Sequence, residues 1–273
     1  MNKIKSIQFN LFTNLYNFLL IGLLFFIIKF IYKNSLNRNK EIKKIKKYVR
    51  NGTPFVIKNG AKLMNAYNRW DDKYLKKNIG KDKFDVEKSY SNIFSPSDPF
   101  SKAGYEKMTF NDFSVKYLKN NMNETNKKHL NYYLAEIEVP DKLSKDVKNP
   151  FFEVFKRNPL EKHLFLGIGG NITRTHYDSY DNFYFLLDGT KEITLISPKY
   201  DNNLYIPKNK KGKEENYIKV DIENIDYNKY PLMKNVQLKK IKLQKGDMLF
   251  IPDGWWHHVK SGVSRNLAVS LWY

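Results

Sequence analysis

From Leu164 onward, apolar residues recur in short segments rich in β-branched and aromatic side chains. Gly, Pro, Asp and Asn separate these segments at close spacing, as they do between the strands of antiparallel sheets. Such a pattern predicts a β sandwich or barrel. Asp188-Gly189, between two of the segments, is a typical two-residue hairpin turn. The predicted strands are LFLGI, ITRTHYD, NFYFLL, KEITLI, KKIKLQ, DMLFI, WWHHVKS and NLAVSLWY.

The part of the chain between Gly52 and Leu164 mixes helical and strand-like spacing. PFVIKNG predicts a strand that ends in a turn at Asn59-Gly60. Apolar residues at helical spacing then follow over 70–79 and 109–120, so we expect this half of the sequence to be α/β. The side chains suited to starting the two helices are Asp71 for the first and Thr109 with Asp112, as a capping box, for the second.

Residues 15–32 read LYNFLLIGLLFFIIKFIY, an almost wholly apolar run about as long as the shortest membrane-spanning helices. Its polar exceptions, Asn17 and Lys29, lie near the ends, where their polar groups can reach the lipid headgroups. No small-residue cleavage site follows the run, which favours an uncleaved anchor over a signal peptide. No polar face interrupts its centre, which disfavours a buried core helix. The run therefore predicts a single-pass membrane anchor.

Basic residues are concentrated around this apolar run. Residues 1–50 hold 11 of the 48 Lys and Arg residues but only one of the 28 acidic residues, and most of the 11 follow the run. The positive-inside rule therefore places the remainder of the protein in the cytoplasm. The basic stretch KEIKKIKKYVR is also suited to lying on an anionic leaflet.

These patterns divide the chain into four parts. We expect a membrane anchor over residues 1–33 and a basic juxtamembrane linker over residues 34–51. An α/β cap then covers residues 52–163, and a mainly β core covers residues 164–273.

The composition restricts the chemistry. Cysteine is absent, which excludes disulfides, zinc fingers, iron-sulfur clusters and thiol catalysis, so that any metal must bind to His, Asp, Glu or backbone oxygen. The formal net charge of +20 would ordinarily suggest nucleic acid or an anionic membrane as a partner. Beyond residue 50, however, the basic excess is diffuse and no aromatic and basic recognition motif accompanies it. We therefore do not expect nucleic-acid binding.

Two histidine-containing segments carry the candidate chemistry. His176 and Asp178 are two residues apart on a predicted strand, so both side chains can reach one metal from the same face. Either His257 or His258 would complete a set of two imidazoles and one carboxylate, which binds iron(II) and leaves three positions open. Adjacent strand residues face opposite sides, so only one of this pair is a ligand, and strand parity does not say which. The histidines without such a setting, expected to be structural or exposed, are His129 and His163.

The segments GNITRTHYDSYDNFYFLLDGTKEITLISP and VQLKKIKLQKGDMLFIPDGWWHHV closely resemble the JmjC, or cupin-like, hydroxylases, especially the branch of the asparaginyl hydroxylase of hypoxia signalling. PFVIKNGAKLMNAYNRWDDKYLKK and MTFNDFSVKYL are similar to that family's amino-terminal cap, so the resemblance covers roughly residues 52–273. It implies a double-stranded β-helix, or jelly-roll cupin barrel, with iron(II) as cofactor and 2-oxoglutarate as cosubstrate. It also selects His257, because the family's distal ligand directly follows the tryptophan of a Trp-His pair.

The resemblance further implies residues that bind the cosubstrate. Lys191 matches the family lysine that pairs with the distal carboxylate of 2-oxoglutarate. Thr173 matches a hydroxyl that binds the same carboxylate, and Asn182 matches an amide near the cosubstrate.

Other pocket positions match the family less closely. Tyr133 matches a phenol at the pocket mouth, with Tyr132 as the alternative. Ser270 stands where close relatives place an asparagine, so its contact with the cosubstrate is expected to be weaker or mediated by water. The tryptophans expected to form the pocket wall are Trp256 and Trp272.

As a whole, the resemblance implies a protein side-chain hydroxylase, here tethered to a membrane. The alternatives are N-methyl-lysine demethylation, RNA modification, a cupin metalloenzyme that does not use 2-oxoglutarate, and a non-catalytic membrane-anchored cupin module. Lys191 and Thr173, as residues for 2-oxoglutarate, favour the 2-oxoglutarate-dependent reactions over a cupin metalloenzyme that does not use this cosubstrate. The complete set of metal ligands disfavours the non-catalytic module. The chain stops at Tyr273, directly after the last predicted strand, so dimerisation through the carboxy-terminal helices of some relatives is not expected.

Overall fold

The structure is a computed structural model of the 273-residue chain that describes residues 39–94, 104–117 and 130–273. The predicted anchor over residues 15–32 lies outside these ranges. Across the ranges themselves, no helix is long and apolar enough to cross a membrane. Asn51–Tyr273 forms one compact unit, while residues 39–50, within the predicted linker, are helical and belong to a separate unit.

Most of the regular secondary structure in the compact unit is short strands, and the short α-helices lie in its amino-terminal half. The strands are β1 (Phe55–Ile57), β2 (Lys83–Ser89), β3 (Gly104–Thr109), β4 (Asn131–Glu138), β5 (Glu161–Gly167), β6 (Ile172–His176), β7 (Asn182–Asp188), β8 (Thr190–Ile196), β9 (Lys239–Gln244), β10 (Met248–Ile251), β11 (Trp256–Ser261) and β12 (Asn266–Trp272). The α-helices are α1 (Asn65–Arg69), α2 (Asp72–Ile79), α3 (Phe110–Tyr117), α4 (Asp141–Ser144) and α5 (Phe152–Phe155). Turns of 3-10 helix cover Gly60–Leu63, Pro198–Asn203 and Pro231–Asn235.

The strands form two antiparallel sheets, as the short apolar segments predicted. The larger sheet has the order β1-β10-β7-β12-β5-β4-β2-β3, and the smaller sheet has the order β6-β11-β8-β9. From β5 onward the chain passes repeatedly between the two sheets, which is the arrangement of a jelly roll. The prediction of a mainly β, cupin-like fold is therefore confirmed.

The two sheets pack face to face around an apolar core. Tyr184 and Leu249 from the larger sheet meet Ile193, Leu195 and Leu243 from the smaller one, and all five are at least nine-tenths buried. Alternate residues of each strand point into this space, as the strand period requires. The candidate ligands lie on strands and a loop that border the same interior.

The predicted hairpin at Asp188-Gly189 is wrong. Strand β7 pairs with β10 and β12, whereas β8 pairs with β9 and β11, so the chain crosses from one sheet to the other at this point. Gly189 alone separates the two strands and has a φ of 79°. A Cβ there would lie 2.3 Å from the carbonyl oxygen of Arg265. The sharp Asp-Gly corner was read correctly as a turn, but it joins two sheets instead of two paired strands.

Both predicted helix starts are present, and the first helix, Asp72–Ile79, is shorter than expected. The Asp71 side chain accepts a hydrogen bond from the backbone of Tyr74 at the start of α2. Thr109 accepts a hydrogen bond from the backbone of Asp112 and donates one to its carboxylate, which caps α3. The strand predicted from PFVIKNG is β1, and Asn59 after it has a left-handed φ of 60°.

Strands from the predicted cap continue the sheet of the predicted core. β4 pairs with β5, and β1 pairs with β10 on the opposite edge of the barrel strands. The expected boundary between residues 163 and 164 lies inside β5. The cap thus contributes directly to the walls of the barrel, including residues of the pocket described below.

Candidate metal centre

His176 and Asp178 are brought together where β6 ends. His176 is the last residue of that strand, whereas Asp178 lies two residues beyond it, so the prediction that both ligands stand on one strand is wrong in this detail. The backbone carbonyl of Asp178 accepts a hydrogen bond from the amide of Gly254 at 3.0 Å, which ties this loop to the turn before β11. His176 Nε2 lies 3.8 Å from Asp178 Oδ1.

His257 completes the group from the neighbouring strand. It is the direct cross-strand partner of His176, and their ring centroids are 4.2 Å apart. Its Nε2 lies 3.6 Å from Asp178 Oδ2. One potential ligand atom from each residue falls within 4.8 Å of the others, a grouping that can hold a metal ion. Two imidazoles and one carboxylate are a ligand set suited to iron(II).

Both imidazoles have Nε2 directed to the group. Nδ1 of His176 lies 2.8 Å from the carbonyl oxygen of Arg174, and Nδ1 of His257 lies 3.0 Å from that of Trp255. Because a carbonyl oxygen only accepts, each Nδ1 is the donor and each Nε2 keeps its lone pair. Burial, followed by the neighbouring His176, lowers the pKa of His257 to about 4, so the neutral form that binds metals is present at neutral pH.

His258 and Trp256 face away from the centre. Both flank His257 on β11, and adjacent strand residues point to opposite faces. The Trp256 ring packs in an apolar cluster with Ile196 and Leu204, and its Nε1 donates to Asp201 at 2.8 Å. The prediction that Trp256 forms the pocket wall is therefore wrong.

A pocket of about 330 Å³ opens at the three candidate ligands. Tyr133 lines it, whereas the hydroxyl of the alternative residue Tyr132 lies close to Lys116 and Glu106 outside it. The sequence-predicted residues that line this pocket are Tyr133, Thr173, His176, Asp178, Asn182, His257, Ser270 and Trp272.

Thr173 reaches the pocket because β6 contains a bulge. In the pairing of β6 with β11, His176 is opposite His257 and Thr173 is opposite Val259, so three steps on one strand match two on the other. Residues three apart would face opposite sides of a regular strand, and the extra residue returns both to the same face. Val259, Thr173 and His176 accordingly all line the pocket.

Lys191 is buried on the inward face of β8, with 3% of its surface exposed. Its cross-strand partner is Ser261, and its Nζ donates to Ser261 Oγ at 2.9 Å. Nζ also lies 5.9 Å from the ring centroids of Tyr133 and Tyr184, which both line the pocket. No carboxylate of the described residues pairs with it, and burial lowers its pKa to about 7. A buried ammonium of this kind is stabilised by an anionic ligand.

Several polar atoms at the pocket have no hydrogen-bond partner within the described part of the chain. They are Asn182 Oδ1, Ser270 Oγ and Trp272 Nε1, and all three side chains are buried. Buried polar groups are ordinarily satisfied, so their arrangement around one cavity indicates a polar ligand or ordered water. Ser270 lines the pocket, and its hydroxyl has no protein partner among the described residues.

Sequence reasoning missed two carboxylates of the pocket, Glu87 and Glu136. Glu87 lies on β2 and Glu136 on β4, both in the predicted cap. Burial, followed by the charge of Glu136, raises the pKa of Glu87 to about 8. Loss of water contact, followed by the charge of Asp178, raises the pKa of Glu136. Neither residue belongs to a short motif, so only the strand pairing brings them to the metal centre.

Comparison with known proteins agrees with this architecture. Residues 41–273 match the family described as the cupin-like domain. The chain is 31% identical over 262 residues to JmjC domain-containing protein D of Dictyostelium discoideum, covering 86% of this chain and 56% of that protein. It is 28% identical over 270 residues to JmjC domain-containing protein F of the same organism, covering 81% of this chain and 57% of that protein. It is 26% identical over 234 residues to lysine-specific demethylase JMJ30 of Arabidopsis thaliana, covering 84% of this chain and 52% of that protein.

The match begins at residue 41, before the predicted start of the cap and within the expected linker. The chain spans somewhat more than half the length of the three relatives. On the extent of the family match and on the fold, this protein belongs to the cupin-like JmjC domain family.

Proposed function

We propose that this chain is an iron(II)- and 2-oxoglutarate-dependent oxygenase that hydroxylates a side chain of a protein substrate. The observation that carries the proposal is a His-Asp-His group at a pocket that also has, next to its wall, a buried lysine without an acidic partner among the described residues. A cupin metalloenzyme that does not use 2-oxoglutarate has no cosubstrate carboxylate for such a lysine to bind.

The donor set fits the proposed metal. His176, Asp178 and His257 would hold iron(II), with both imidazoles oriented through Nδ1 by backbone carbonyls. Iron(II) bound with 2-oxoglutarate couples decarboxylation of that cosubstrate by dioxygen to oxidation of a substrate C–H bond. The three side chains would hold the ion, and the pocket beside them would take the cosubstrate and oxygen.

Lys191 would bind the distal carboxylate of 2-oxoglutarate. It lies on the same face of the smaller sheet as His257, because Lys191 pairs with Ser261 and Leu195 pairs with His257 in one register. An anion next to its Nζ would restore the charged form of the ammonium, whose pKa burial lowers to about 7. Thr173 and Ser270 offer hydroxyls to the same ligand from neighbouring walls.

Aromatic side chains pack around the pocket. Phe94 packs against Tyr133 with ring centroids 5.4 Å apart, and Trp272 stacks on Tyr180 at 5.1 Å. Aromatic walls of this kind orient a bound substrate and lower the local dielectric, which strengthens the interaction of Lys191 with a carboxylate.

The protein substrate and the membrane setting rest on family resemblance and on sequence. Demethylation of N-methyl-lysine and modification of RNA use the same metal chemistry and are the enzymatic alternatives. We also propose that residues 15–32 form a single-pass anchor, with the catalytic unit in the cytoplasm. The support for the anchor is the apolar run and the basic residues that follow it.

Anaerobic titration tests the proposed cofactors. The full chain, purified in mild detergent and stripped of metal, is loaded with iron(II) and then titrated with 2-oxoglutarate. We expect a visible charge-transfer band that saturates with the cosubstrate. Lys191→Met should lower the affinity for 2-oxoglutarate at least about thirtyfold, because it removes one partner of a buried charge pair. Iron binding should be unchanged.

Lys242→Met is the matched control, because Lys242 is exposed on the neighbouring strand β9. It should leave the affinity for 2-oxoglutarate unchanged. Iron binding without any charge-transfer band, or equal loss in the two lysine variants, would contradict the proposed role of the pocket.

A further inference from the structure

The mouth of the metal pocket has more carboxyl groups than its metal group requires. The chain has 48 Lys and Arg residues against 28 Asp and Glu residues, yet the pocket is lined by three carboxylates and one guanidinium. Of these carboxylates, Asp178 belongs to the metal group, which leaves Glu87 and Glu136 without a role. The guanidinium, from Arg174, reaches towards the carbonyl oxygen of Lys219 at 3.4 Å.

Glu87 is directed into the pocket with an unsatisfied carboxylate. Its side chain lines the cavity, its residue surface is only 8% exposed, and its Oε2 has no hydrogen-bond partner within the described ranges. Leaving a buried carboxylate unpaired is costly, so such groups normally face a partner. Nothing in the described fold supplies one.

Aromatic rings flank this carboxylate on both sides. On β2, Glu87 is the direct cross-strand partner of Tyr105 on β3 and of Tyr133 on β4. Directly opposite residues of antiparallel strands share a face, so the three side chains form one row, and all three line the pocket. A carboxylate between two aromatic rings is a favourable environment for a cation, through ion pairing and cation–π attraction.

A backbone irregularity adds Glu136 to the same place. The pairing of β4 with β5 shifts between Leu134 and Ile137, and Glu136 within this bulge has a φ of 51°. Ala135 and Glu136, although adjacent, therefore both line the pocket. A non-glycine residue in this conformation is unusual, and bulges next to active sites commonly redirect one side chain.

Glu87 and Glu136 line one cavity, where ionising both is unfavourable unless a cation lies between them. The charge of Glu136 is one cause of the raised pKa of Glu87, and Asp178 contributes to the raised pKa of Glu136. Glu87, Glu136 and the metal group all line the same pocket. A single positive charge at the mouth would relieve both interactions.

We propose that Glu87 and Glu136, together with Tyr105 and Tyr133, form a subsite for a cationic side chain, so that the substrate presents lysine or arginine to the metal centre. This inference rests on the proposed function, because only an enzyme has a substrate, but the property that it predicts is the binding of a cation. A phosphate-bearing ligand such as RNA would meet two carboxylates at the entrance, which disfavours it.

The test uses the full chain, free of metal and cosubstrate, and five-residue alanine peptides with blocked ends. The central residue is lysine, arginine, norleucine or glutamate, so it alone carries charge. Calorimetric or ligand-observed NMR titration should show the lysine or the arginine peptide binding at least about tenfold more tightly than the norleucine peptide. The glutamate peptide should bind more weakly than the norleucine peptide.

Glu87→Gln and Glu136→Gln should each reduce this preference severalfold, and the double variant should abolish it. Glu138→Gln is the matched control, because Glu138 is exposed on the same strand and does not line the pocket. Equal binding of charged and norleucine peptides, no measurable binding of either cationic peptide, or a preference retained in the double variant would overturn the proposal. Tighter binding of a single-stranded RNA oligonucleotide than of the cationic peptides would overturn it too.

Because the titration contains no iron, 2-oxoglutarate or oxygen, its outcome is independent of turnover. If the protein prefers cationic peptides but never releases succinate, the subsite proposal is supported and the oxygenase proposal is contradicted. If the protein releases succinate but shows no preference for cationic peptides, the oxygenase proposal is supported and the subsite proposal is contradicted.

Discussion

At the scale of single residues, two adjacent histidines have opposite environments. His257 faces the metal group, whereas the charges nearest to His258 come from Glu223 and Asp221 on the outer side of the smaller sheet. Strand parity separates the two side chains, but their identical chemistry gave no basis for choosing between them. Family resemblance supplied the choice, and the observed orientation agrees with it.

Replacing the two histidines separately gives a direct comparison. We expect His257→Ala to reduce iron(II) affinity by more than the 10- to 100-fold typical of changes outside the ligand shell. His258→Ala, which removes a ring facing away, should change it less than about threefold. Equilibrium competition with a chromophoric chelator measures both. Stronger loss in His258→Ala would overturn the assignment of the ligand.

Lys191 gives a prediction about stability as well as binding. Burial lowers its pKa to about 7 from an ordinary value of 10.5. Below pH 7 the lysine is protonated in both folded and unfolded states, so the folded protein carries the full cost of burying the charge. Between pH 7 and 10.5 only the unfolded state is protonated, so wild-type stability rises with pH.

Lys191→Met removes this cost. Without cosubstrate, the variant should be more stable than the wild type below pH 7, by on the order of 2 kcal/mol, and the difference should shrink as pH rises towards 10. Urea unfolding at several pH values measures it. A difference that grows with pH would contradict a buried, unpaired ammonium at this position.

At the scale of elements, the eight core strands could be predicted from sequence because short apolar segments and turn residues mark their ends. Their pairing could not, since partners lie far apart in sequence and periodicity carries no information about register. The same limit explains the missed bulges in β6 and β4, which bring Thr173 and Glu136 to the pocket. It also explains the misread corner at Gly189, where a hairpin signal marks a crossing between sheets.

That corner gives a prediction with an internal control. Gly189 has a φ of 79°, and a Cβ there would lie 2.3 Å from the carbonyl oxygen of Arg265. Gly189→Ala should lower the free energy of unfolding by about 2–4 kcal/mol, through both backbone strain and the clash. Gly212 has a similar φ of 77° but no atom within 4 Å of an added Cβ, so Gly212→Ala should cost only about 1 kcal/mol. Equal losses in urea unfolding would show that the crossing is not sterically restricted.

At the scale of the whole molecule, cap and core act as one unit. Strands β2 to β4 extend the larger sheet and bring Glu87, Tyr105 and Tyr133 to the mouth of a pocket whose metal group lies on the smaller sheet and its following loop. A boundary drawn from sequence at residue 163 separated residues that line one cavity. The net charge of the chain also carries no information about this entrance, because a strongly basic chain has a pocket lined by three carboxyl groups and one guanidinium.

The proposed anchor is a prediction about the whole chain. We expect the full protein to stay with membranes during alkaline carbonate extraction and to be released by detergent, because residues 15–32 would span the bilayer. Replacing four apolar residues of this run by lysine should release the protein without detergent. Full release of the unaltered chain by carbonate would contradict the anchor.

The central claim is that the His-Asp-His group and Lys191 form an oxygenase centre, and succinate formation tests it most directly. The full chain in detergent is mixed in air with iron(II) and 2-oxoglutarate, and succinate is measured against time. We predict formation well above that of the Asp178→Ala and Lys191→Met variants, and none when oxygen is removed. A wild-type protein that binds iron and 2-oxoglutarate yet forms no more succinate than Asp178→Ala would contradict the account.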